Sequence, residues 1–523
     1  MKILIINLTR FGDILQTQPL ISAYASQGHD VAFLCLESFV GAAELLAHVK
    51  HIYTLADHEI ADTSHSWPEN LGIVHALVRD VQSGFTPDRV INVTPSIPAR
   101  LLTKLFGVDD SMGFVVDEFG FQADTSPWAT FVQQASGYRE QSPFNICDLY
   151  VKLGKRADDL VGECAYPEFF LASAGGVELK AAKALVRKLS GSSQDTPFIC
   201  LQLGASDDFR RWPVDYFRSL AVGLQQKGYT VVLLGTESEA VLGQRLNKDI
   251  AVSCVDLMGK TNLPLLRGIL SLCKGLVSND TGTMHLAAGL GTPVLGLFLA
   301  TAQPWDTAPY LEGALCLEPD IQCHPCSFKT ACDHNSCRNA LSVEDVLQCS
   351  LSLFAQEPLG DVSTARVWQC RRDEHGFMGL KSLSNHEHSD RTQWLQVQRH
   401  HYRHFFDGEV ENCPCLSDVG NADGEKSSLF NGELKQVVEK ITMLLMLLEK
   451  QGAALGVDPV PAIRRKFLLH WQMVQNELQG FEKTVVLGAM WGQESQRAGG
   501  DLSQLMVLIG RYKKFFNGLL RCL

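Results

Sequence analysis

The sequence predicts an α/β protein with two doubly wound domains in series, followed by a helical appendage. Short apolar runs rich in Ile, Val and Leu recur at 3–7 and 31–36, and again at 198–203 and 230–235. Because they lack polar alternation, they are typical of parallel strands buried on both faces. Segments with helical spacing separate the runs, and this alternation is expected of a doubly wound sheet.

The alternation of strands and helices stops and restarts along the chain, and this sets the expected domain boundaries. A Gly- and Ser-containing stretch at 191–197 precedes the restart. After about residue 354 the chain becomes polar and rich in His and Arg, and helical spacing returns from 429 onward. We therefore expect two α/β domains, an irregular polar linker and a helical extension, at 1–176, 177–354, 355–428 and 429–523.

Composition narrows the class of protein. The chain has 523 residues, of which 46% are hydrophobic and 20% charged, as expected of folded domains with apolar cores. The formal net charge is −12, whereas nucleic-acid-binding proteins usually carry a basic surface. We therefore expect no nucleic-acid partner.

The apolar segments favour a cytoplasmic location. The first apolar run ends at Arg10 without a signal-peptide cleavage pattern. The longest apolar stretch, 286–302, is interrupted by Gly291 and Pro293, which favours helix, turn and strand over a membrane span. In that compartment the 16 cysteines would be mostly reduced, buried or metal-bound.

The loop after the first strand carries a candidate catalytic carboxylate. Gly12 permits a tight turn, and Asp13 follows it at the carboxyl end of a predicted parallel strand, where open α/β sheets place ligands. Two interpretations remain open. Asp13 is either a helix N-cap or a general base that deprotonates a sugar hydroxyl.

A second strand–turn–helix motif predicts an anion site. Residues 277–288 run from a strand through Asp280, Thr281 and Gly282 into a helix. The unpaired N–H groups and the dipole at a helix start suit a diphosphate, and Thr281 and Thr283 add hydroxyl donors. The alternative is a plain capping turn.

Two arginines precede the second domain's Pro-initiated helix. Arg210 and Arg211 stand directly before Trp212 and Pro213. Guanidinium groups there would reach a phosphate, or they would be solvated surface charges.

Together these motifs resemble glycosyltransferase family nine, which contains the ADP-heptose:lipopolysaccharide heptosyltransferases. The resemblance rests on 10–15 with Gln18-Pro19, on 201–206 with 211–213, and on 279–288. It covers residues 1 to about 354, so the C-terminal extension lies outside the family's usual pattern.

The resemblance implies a GT-B architecture, with two Rossmann-like domains facing across a cleft, and an inverting transfer that needs no metal or other cofactor. Asp13 corresponds to the general base, and Arg210 stands where the family often has a Lys against the donor phosphates. The implied substrate-binding residues are Thr9, Gly12, Ser206, Arg210, Glu237, Met258, Gly259, Lys260, Asp280, Thr281, Gly282, Thr283 and His285. A helix N-terminus and a cation would stabilise the departing diphosphate.

Four cysteines lie close together in the loop 323–337. Cys323, Cys326, Cys332 and Cys337 have a spacing that would close a tetrahedral metal site. In a cytoplasmic protein such a cluster favours metal over disulfides. Relatives that heptosylate autotransporter proteins suggest iron, and thiolate ligands equally allow zinc. The alternative is a set of reduced thiols in a packed loop.

Three functions are compatible with the sequence. The first is transfer of heptose from a nucleotide-sugar donor to a lipid-linked saccharide of the lipopolysaccharide core. The second is heptosylation of a protein acceptor, such as an autotransporter or a flagellar subunit. The third is a non-catalytic nucleotide-sugar-binding scaffold, which retention of Asp13 and the 280–282 element disfavours. An oligomer and a transient contact with the inner-membrane surface are compatible with all three.

Overall fold

The computed structural model describes residues 1–60, 66–155, 169–191, 196–248, 254–327, 332–409 and 432–523. These residues form two compact units. The first unit comprises Met1–Gln122 and Phe144–His386 and holds both parallel sheets, and the second comprises Ala123–Pro143 and Glu387–Leu523.

The first sheet is doubly wound, as the apolar runs predict. Strand β1 pairs in parallel with β2 on one side and with β4 on the other, so that the strand order reverses beside β1. The order along the sheet is β3-β2-β1-β4-β5-β6. The strands are β1 Lys2–Ile6, β2 Asp30–Leu36, β3 Val49–Leu55, β4 Arg89–Asn92, β5 Ser111–Val116 and β6 Gln122–Asp124.

Helices alternate with these strands. On one face of the sheet, Leu4 and Ile6 of β1 pack with Val81, Phe85 and Leu102 from two of the helices. The helices of this part of the chain are α1 Phe11–Leu15, α2 Gln18–Ala25, α3 Val40–Ala43, α4 Asp57–Ile60, α5 Trp67–Gly84, α6 Ile97–Leu105, α7 Pro127–Ala135 and α8 Ile146–Leu153.

The second sheet repeats this topology and extends it with an antiparallel edge. Strand β7 pairs in parallel with β8 and β10, so the strand order reverses between β7 and β10. The order is β14-β13-β12-β11-β10-β7-β8-β9. The strands are β7 Phe198–Gln202, β8 Thr230–Leu234, β9 Val255–Asp256, β10 Gly275–Asn279, β11 Val294–Leu297, β12 Leu315–Pro319, β13 Ala365–Arg372 and β14 Met378–Ser382.

The helices around the second sheet bury its apolar strands. Trp212 and Phe217 pack into a core with Leu201, Val231 and Val277 from three neighbouring strands. These helices are α9 Gly176–Ser190, α10 Val214–Gln226, α11 Ala240–Asn247, α12 Leu263–Leu272, α13 Gly282–Gly289, α14 Pro304–Thr307, α15 Cys337–Ala340 and α16 Val343–Ala355.

The second unit is helical, as predicted for the C-terminal extension, and it also includes α7. Its aromatic core places the ring of Trp491 4.4 Å from that of Trp471 and 5.0 Å from that of Tyr512. Trp128 of α7 lies 4.9 Å from Phe406. The remaining helices are α17 Asp390–Asp407, α18 Gly432–Val457, α19 Pro461–Gly480, α20 Val485–Ala498 and α21 Leu502–Cys522.

The expected irregular linker at 355–428 is wrong for much of its length. Strand β13 joins the second sheet antiparallel to β12, β14 pairs antiparallel with β13, and α17 is an eighteen-residue helix. The high content of Arg and His hid this, because the buried Val367 and Trp368 stand between Arg366 and Arg371 in the sequence, and Arg399 and Arg403 are themselves buried. Residues 410–428 lie outside the described part of the chain.

No helix among the described residues combines the length and the apolar character needed to cross a lipid bilayer.

Candidate functional site

The turn after β1 is fixed by one buried amide side chain. Asn7 is fully buried, and its Nδ2 donates to the Asp13 carbonyl at 3.2 Å and to Thr17 Oγ1 at 2.8 Å. Thr17 Oγ1 also donates to the Asp13 carbonyl, at 3.0 Å. The Thr9 N–H donates to Asn7 Oδ1 at 3.2 Å. The backbone from Thr9 to Asp13 is therefore held in place at the carboxyl end of the central strand.

Asp13 is not the N-cap of its helix. Arg10 occupies the N-cap position of α1, and Asp13 lies in the first helical turn with its side chain half-buried. A carboxylate in a first turn is stabilised in its ionised form by the helix dipole. The capping interpretation is therefore wrong, and Asp13 instead places a carboxyl group at the switch point of the first sheet.

In the second sheet the site loops follow the two strands between which the order reverses. Asn279, at the end of β10, is fully buried and donates to the carbonyls of Leu203 at 3.1 Å and Gly204 at 2.9 Å. Its Oδ1 accepts from the Trp212 N–H at 3.0 Å. One side chain thus joins β10 to both segments of the β7–α10 connection.

This connection places Arg210 against Asp280. The Arg210 guanidinium forms an ion pair with Asp280 and donates to Ser206 Oγ at 3.3 Å. The Asp280 carboxylate also accepts from Thr307 Oγ1 at 3.4 Å, and His285 Nε2 lies 4.0 Å from it. Because Arg210 and Asp280 are only 15% and 9% exposed, their interaction is weakly screened by water.

Both arginines retain donors for a further ligand. The Nε atoms of Arg210 and Arg211 are buried and have no hydrogen-bond acceptor among the described residues. Arg211 also pairs with Asp208 at 2.8 Å through a terminal nitrogen. Buried donors without acceptors are costly, and phosphate oxygens would satisfy them.

The helix after β10 begins without a side-chain cap. Thr281 is the N-cap residue of α13, with extended backbone angles, yet its side chain makes no capping hydrogen bond. Its Oγ1 lies instead 3.1 Å from Ser278 Oγ. The N–H groups of the first turn are therefore not satisfied by a side-chain cap, which favours the anion-site interpretation over the plain capping turn.

The two switch-point regions contact each other inside the first unit. A Cβ atom added to Gly12 would lie 3.4 Å from His285 Cδ2 and 3.5 Å from the Gly282 Cα. A Cβ atom added to Gly282 would collide with the ring of Phe11. Glycine at 282 thus allows the Asp13 turn to lie directly against the start of α13.

Three other predicted residues, Glu237, Met258 and Gly259, cluster at the ends of β8 and β9. Gly259 has φ +69°, and a Cβ atom there would approach the Glu237 Cα to 2.8 Å. Met258 is buried, whereas Lys260 donates from Nζ to the Asp256 carbonyl at 3.0 Å. The Lys260 side chain therefore stabilises the β9 turn in this structure.

Sequence reasoning missed two residues of this site. The Glu239 side chain packs against Gly204, and its Oε2 accepts from the Thr236 N–H at 2.9 Å. The capping-box spacing of Thr236 and Glu239 was a readable signal for this placement. The role of Asn279 had no comparable signal, because it depends on contacts with distant segments.

The structure does not support the predicted zinc or iron site in the cysteine loop. Cys326 Sγ donates to the Cys323 carbonyl at 3.8 Å, Cys332 Sγ accepts from the Asn335 N–H at 3.4 Å, and Cys337 Sγ donates to Asn335 Oδ1 at 3.6 Å. Burial, together with the neighbouring thiols, raises the pKa of Cys326 to about 11. Across the described ranges, no three His, Cys, Asp or Glu side chains form a group that would hold a metal ion.

The same loop instead supports the arginine segment. Arg338, directly after Cys337, donates from Nε to the Arg211 carbonyl at 2.9 Å, and Trp212 Nε1 donates to the Leu341 carbonyl at 3.0 Å. The cysteine-rich segment therefore helps to fix Arg210 and Arg211.

Comparison with known proteins identifies the region that carries this geometry. Residues 167–336 match the model of glycosyltransferase family 9 (heptosyltransferase). This region belongs to glycosyltransferase family 9. It contains the β7 and β10 loops, the arginine pair and α13.

Curated relatives match over short stretches. Lipooligosaccharide heptosyltransferase 2 of Haemophilus influenzae is 35% identical over 109 residues, which are 20% of this chain and 31% of that protein. Lipopolysaccharide heptosyltransferase 2 of Escherichia coli is 34% identical over 111 residues, which are 20% of this chain and 32% of that protein. The chain thus matches about a third of the length of these relatives.

Solved structures confirm the predicted GT-B fold class. A family 9 glycosyl transferase from Veillonella parvula superposes with a TM-score of 0.54 at 16% identity, covering 68% of this chain and 97% of that one. E. coli ADP-heptose lipopolysaccharide heptosyltransferase II superposes with a TM-score of 0.50 at 20% identity, covering 68% and 99%. At such identities the likeness supports the fold alone.

Proposed function

We propose that this protein is an inverting glycosyltransferase that moves a heptose from ADP-heptose to a saccharide acceptor of the lipopolysaccharide core. The observation that carries the proposal is the contact of Gly12 with Gly282. It brings the turn that carries the half-buried Asp13 against the start of α13, and Asp280, just before that helix, pairs with Arg210. A sugar nucleotide needs an anion site and a base at this short separation.

The second sheet would hold the leaving group. When the anomeric bond breaks, negative charge grows on the departing nucleoside diphosphate. The first-turn amides of α13 and the guanidinium of Arg210 lie where they would stabilise that charge. Arg210 would exchange part of its contact with Asp280 for the phosphates, and its buried Nε would gain an acceptor.

The first sheet would activate the acceptor. Asp13 would take the proton from the attacking hydroxyl as the new bond forms at the anomeric carbon, while the diphosphate leaves from the opposite face. This single displacement inverts the configuration. The hydrogen bonds from Asn7 and Thr17 to the Asp13 carbonyl would keep the carboxylate in position during the reaction.

The donor and the acceptor are proposed from the relatives. Two of them are named lipooligosaccharide or lipopolysaccharide heptosyltransferases, and one solved relative is named for ADP-heptose. The Arg210 and Arg211 donors, together with Glu237 and Gly259 at the ends of β8 and β9, are where the diphosphate and the nucleoside would bind.

The test is release of ADP from ADP-heptose by the purified full-length chain. We expect release to depend on a lipopolysaccharide core acceptor that lacks heptose, and to continue in the presence of a chelator. Release without acceptor, or release only with a protein acceptor, would contradict the proposal. No release with any acceptor, despite saturable binding of ADP-heptose, would favour the non-catalytic scaffold instead.

A further inference from the structure

The second unit carries a local excess of positive charge on α19. Arg464, Arg465 and Lys466 are consecutive in the first half of this helix, and all three are exposed. None of their side chains forms a hydrogen bond or an ion pair with another described residue. Between residues 450 and 472, four Lys or Arg residues accompany one acidic residue, whereas the net charge of the whole chain is −12.

The acidic residues around this segment do not cancel its charge. The next acidic residue along the chain on either side, and the acidic residue of the packed helix α20, each pair with a cation. These pairs are Glu449 with Lys513, Glu477 with Lys440, and Glu494 with Arg511. Asp458, in the turn before α19, and Asp501, which caps α21, remain against the four cations.

The undescribed residues 410–431 precede the far end of α18. The Gln451 side chain lies 2.9 Å from His470 Nδ1, so the last turns of α18 lie beside the first half of α19. The helix from Gly432 to Gln451 is roughly 28 Å long. The cations therefore lie far from the residue at which that segment joins α18.

Exposed leucines lie between the cations on the outside of α19. Leu468 and Leu469 are 57% and 59% exposed, whereas Phe467 on the opposite side of the helix is buried. At 3.6 residues per turn, Leu468 lies roughly 40° and Leu469 roughly 140° around the axis from Arg464, with Arg465 between them. Exposed apolar side chains that cluster in this way mark interaction sites.

The stability of α19 does not account for the cations. A helix start carries about half a positive charge, so Lys and Arg are favoured in the last turn of a helix and not near its start. In α19 the first turn has no acidic residue and the last turn has no basic one. Anionic groups bound at 464–466 would offset this unfavourable arrangement.

We propose that the α19 outer face, formed by Arg464, Arg465, Lys466, Leu468 and Leu469, docks the protein on an anionic lipid bilayer. The cations would contact lipid phosphates, and the leucines would enter the boundary between headgroups and acyl chains. The aliphatic parts of the Arg and Lys side chains lie along such a boundary with their charges in the headgroup layer. A fluid bilayer conforms to a convex helix surface, whereas a small ligand needs a concave site.

Vesicle binding tests this proposal with the purified full-length protein. The probes are vesicles of phosphatidylcholine mixed with phosphatidylglycerol, and vesicles of phosphatidylcholine alone. In co-sedimentation we expect the anionic vesicles to bind about tenfold more tightly or better, and added salt to weaken this binding. Equal affinity for both vesicles, or no saturable binding to the anionic ones, would overturn the proposal.

Removing the cations tests the electrostatic part. Arg464→Gln, Arg465→Gln and Lys466→Gln combined should lower the affinity for anionic vesicles about 100-fold, because each cation near such a surface contributes a factor of about five.

The matched control removes three exposed cations from other positions, by combining Lys180→Gln, Lys188→Gln and Lys435→Gln. Charges far from the bilayer are screened, so this control should bind within about threefold of the unmodified protein. Equal losses in the two combined variants would place the bilayer contact elsewhere and overturn the proposal.

Removing the leucines separates a bilayer from other polyanions. Leu468→Gln combined with Leu469→Gln should lower the affinity for anionic vesicles about tenfold, with circular dichroism unchanged. The control combines Val177→Gln and Val241→Gln, at exposed apolar positions of the first unit, and should bind normally. Unchanged affinity of the leucine variant would identify a general polyanion surface and overturn the proposal. Vesicle binding is measured without a sugar donor, so failure of the ADP-release assay would not affect it.

Discussion

The two sheets of the first unit share one doubly wound topology, yet the loops at their carboxyl ends present groups of opposite charge. In the first sheet, the turn after β1 presents the Asp13 carboxylate, and Asn7 fixes its backbone. In the second sheet, the loops after β7 and β10 present Arg210 and the uncapped start of α13. The topology determines the edge of the sheet at which a ligand binds. The side chains of the loop after each strand determine the charge that the ligand contacts there.

The largest effect is expected from the carboxylate of the first sheet. Asp13→Asn removes the proposed base while keeping the size of the side chain and the backbone contacts of Asn7. We expect kcat for sugar transfer to fall ~10²–10⁴-fold, with ADP binding nearly unchanged. Asp57→Asn, also in a first helical turn, is the control and should retain activity. Normal turnover of Asp13→Asn would remove the functional distinction between the two sheets.

The next effect concerns the support of the second sheet's loops. Asn279→Ala would leave the Leu203 and Gly204 carbonyls and the Trp212 N–H without their buried partner. We expect the free energy of unfolding, measured in urea, to fall by about 2–4 kcal/mol. Asn476→Ala, on the surface of α19, is the control. Equal stability of the two variants would show that Asn279 does not hold these loops.

A third prediction addresses the charge of the second sheet directly. Arg210→Gln removes the cation opposite Asp280, and we expect ADP affinity to fall about 30-fold, which corresponds to ~2 kcal/mol. The control is Arg245→Gln, because Arg245 pairs with Asp215 at 2.6 Å and is 60% exposed. If Arg245→Gln lowered the ADP affinity as much as Arg210→Gln does, the loss would be a general electrostatic effect and would contradict a specific role for Arg210.

A fourth prediction tests the contact between the two sheets' loops. Gly282→Ala places a methyl group against Phe11, and the strain of ~1–3 kcal/mol should move the Asp13 turn away from α13. We expect kcat/KM to fall about tenfold, and the free energy of unfolding to fall by at most that strain of ~1–3 kcal/mol. Gly72→Ala, within α5 and with no atom within 4 Å of the new Cβ, should not lower activity. Full activity of Gly282→Ala would contradict the close approach.

The smallest effect concerns the ion pair beneath the second sheet. Arg267 Nε donates to the Glu178 carboxylate at 3.0 Å. This hydrogen bond, together with one from the Gly175 N–H, lowers the pKa of Glu178 below its usual 4.5. The pair's contribution, about 1 kcal/mol or less, is present above pH 4.5 and is lost as the pH falls through the lowered pKa. The free energies of unfolding of the unmodified protein and of Glu178→Gln would be measured in urea from pH 7 to pH 3. The difference between them should therefore vanish in acid. A constant difference would contradict this.

Much of the fold could be predicted from the sequence because the buried strands of both sheets are short, continuous apolar runs. Apolar runs such as 31–36 and 230–235 are buried strands in the structure, and the turns after β1 and β10 lie at the switch points as predicted. The prediction failed at β13, where Trp368 and Val367 are buried among charged residues. There, tertiary contacts such as the Trp368 hydrogen bond to Glu318 decide the structure.

The sequence predicted individual residues of the candidate site, but it did not predict the contacts between them. The sequence indicated Asp13, Arg210 and Asp280 separately. The ion pair of Arg210 with Asp280 joins residues 70 positions apart. The cysteine cluster shows the converse, because favourable spacing did not produce a ligand group among the described residues.

The most direct test of the central claim is a crystal structure of the full-length protein with ADP-heptose. The account predicts the diphosphate within hydrogen-bonding distance of the Gly282 and Thr283 amides and of the Arg210 guanidinium. It also predicts the Asp13 carboxylate on the side of the anomeric carbon opposite the leaving oxygen. A diphosphate bound away from α13, or a sugar out of reach of Asp13, would contradict it.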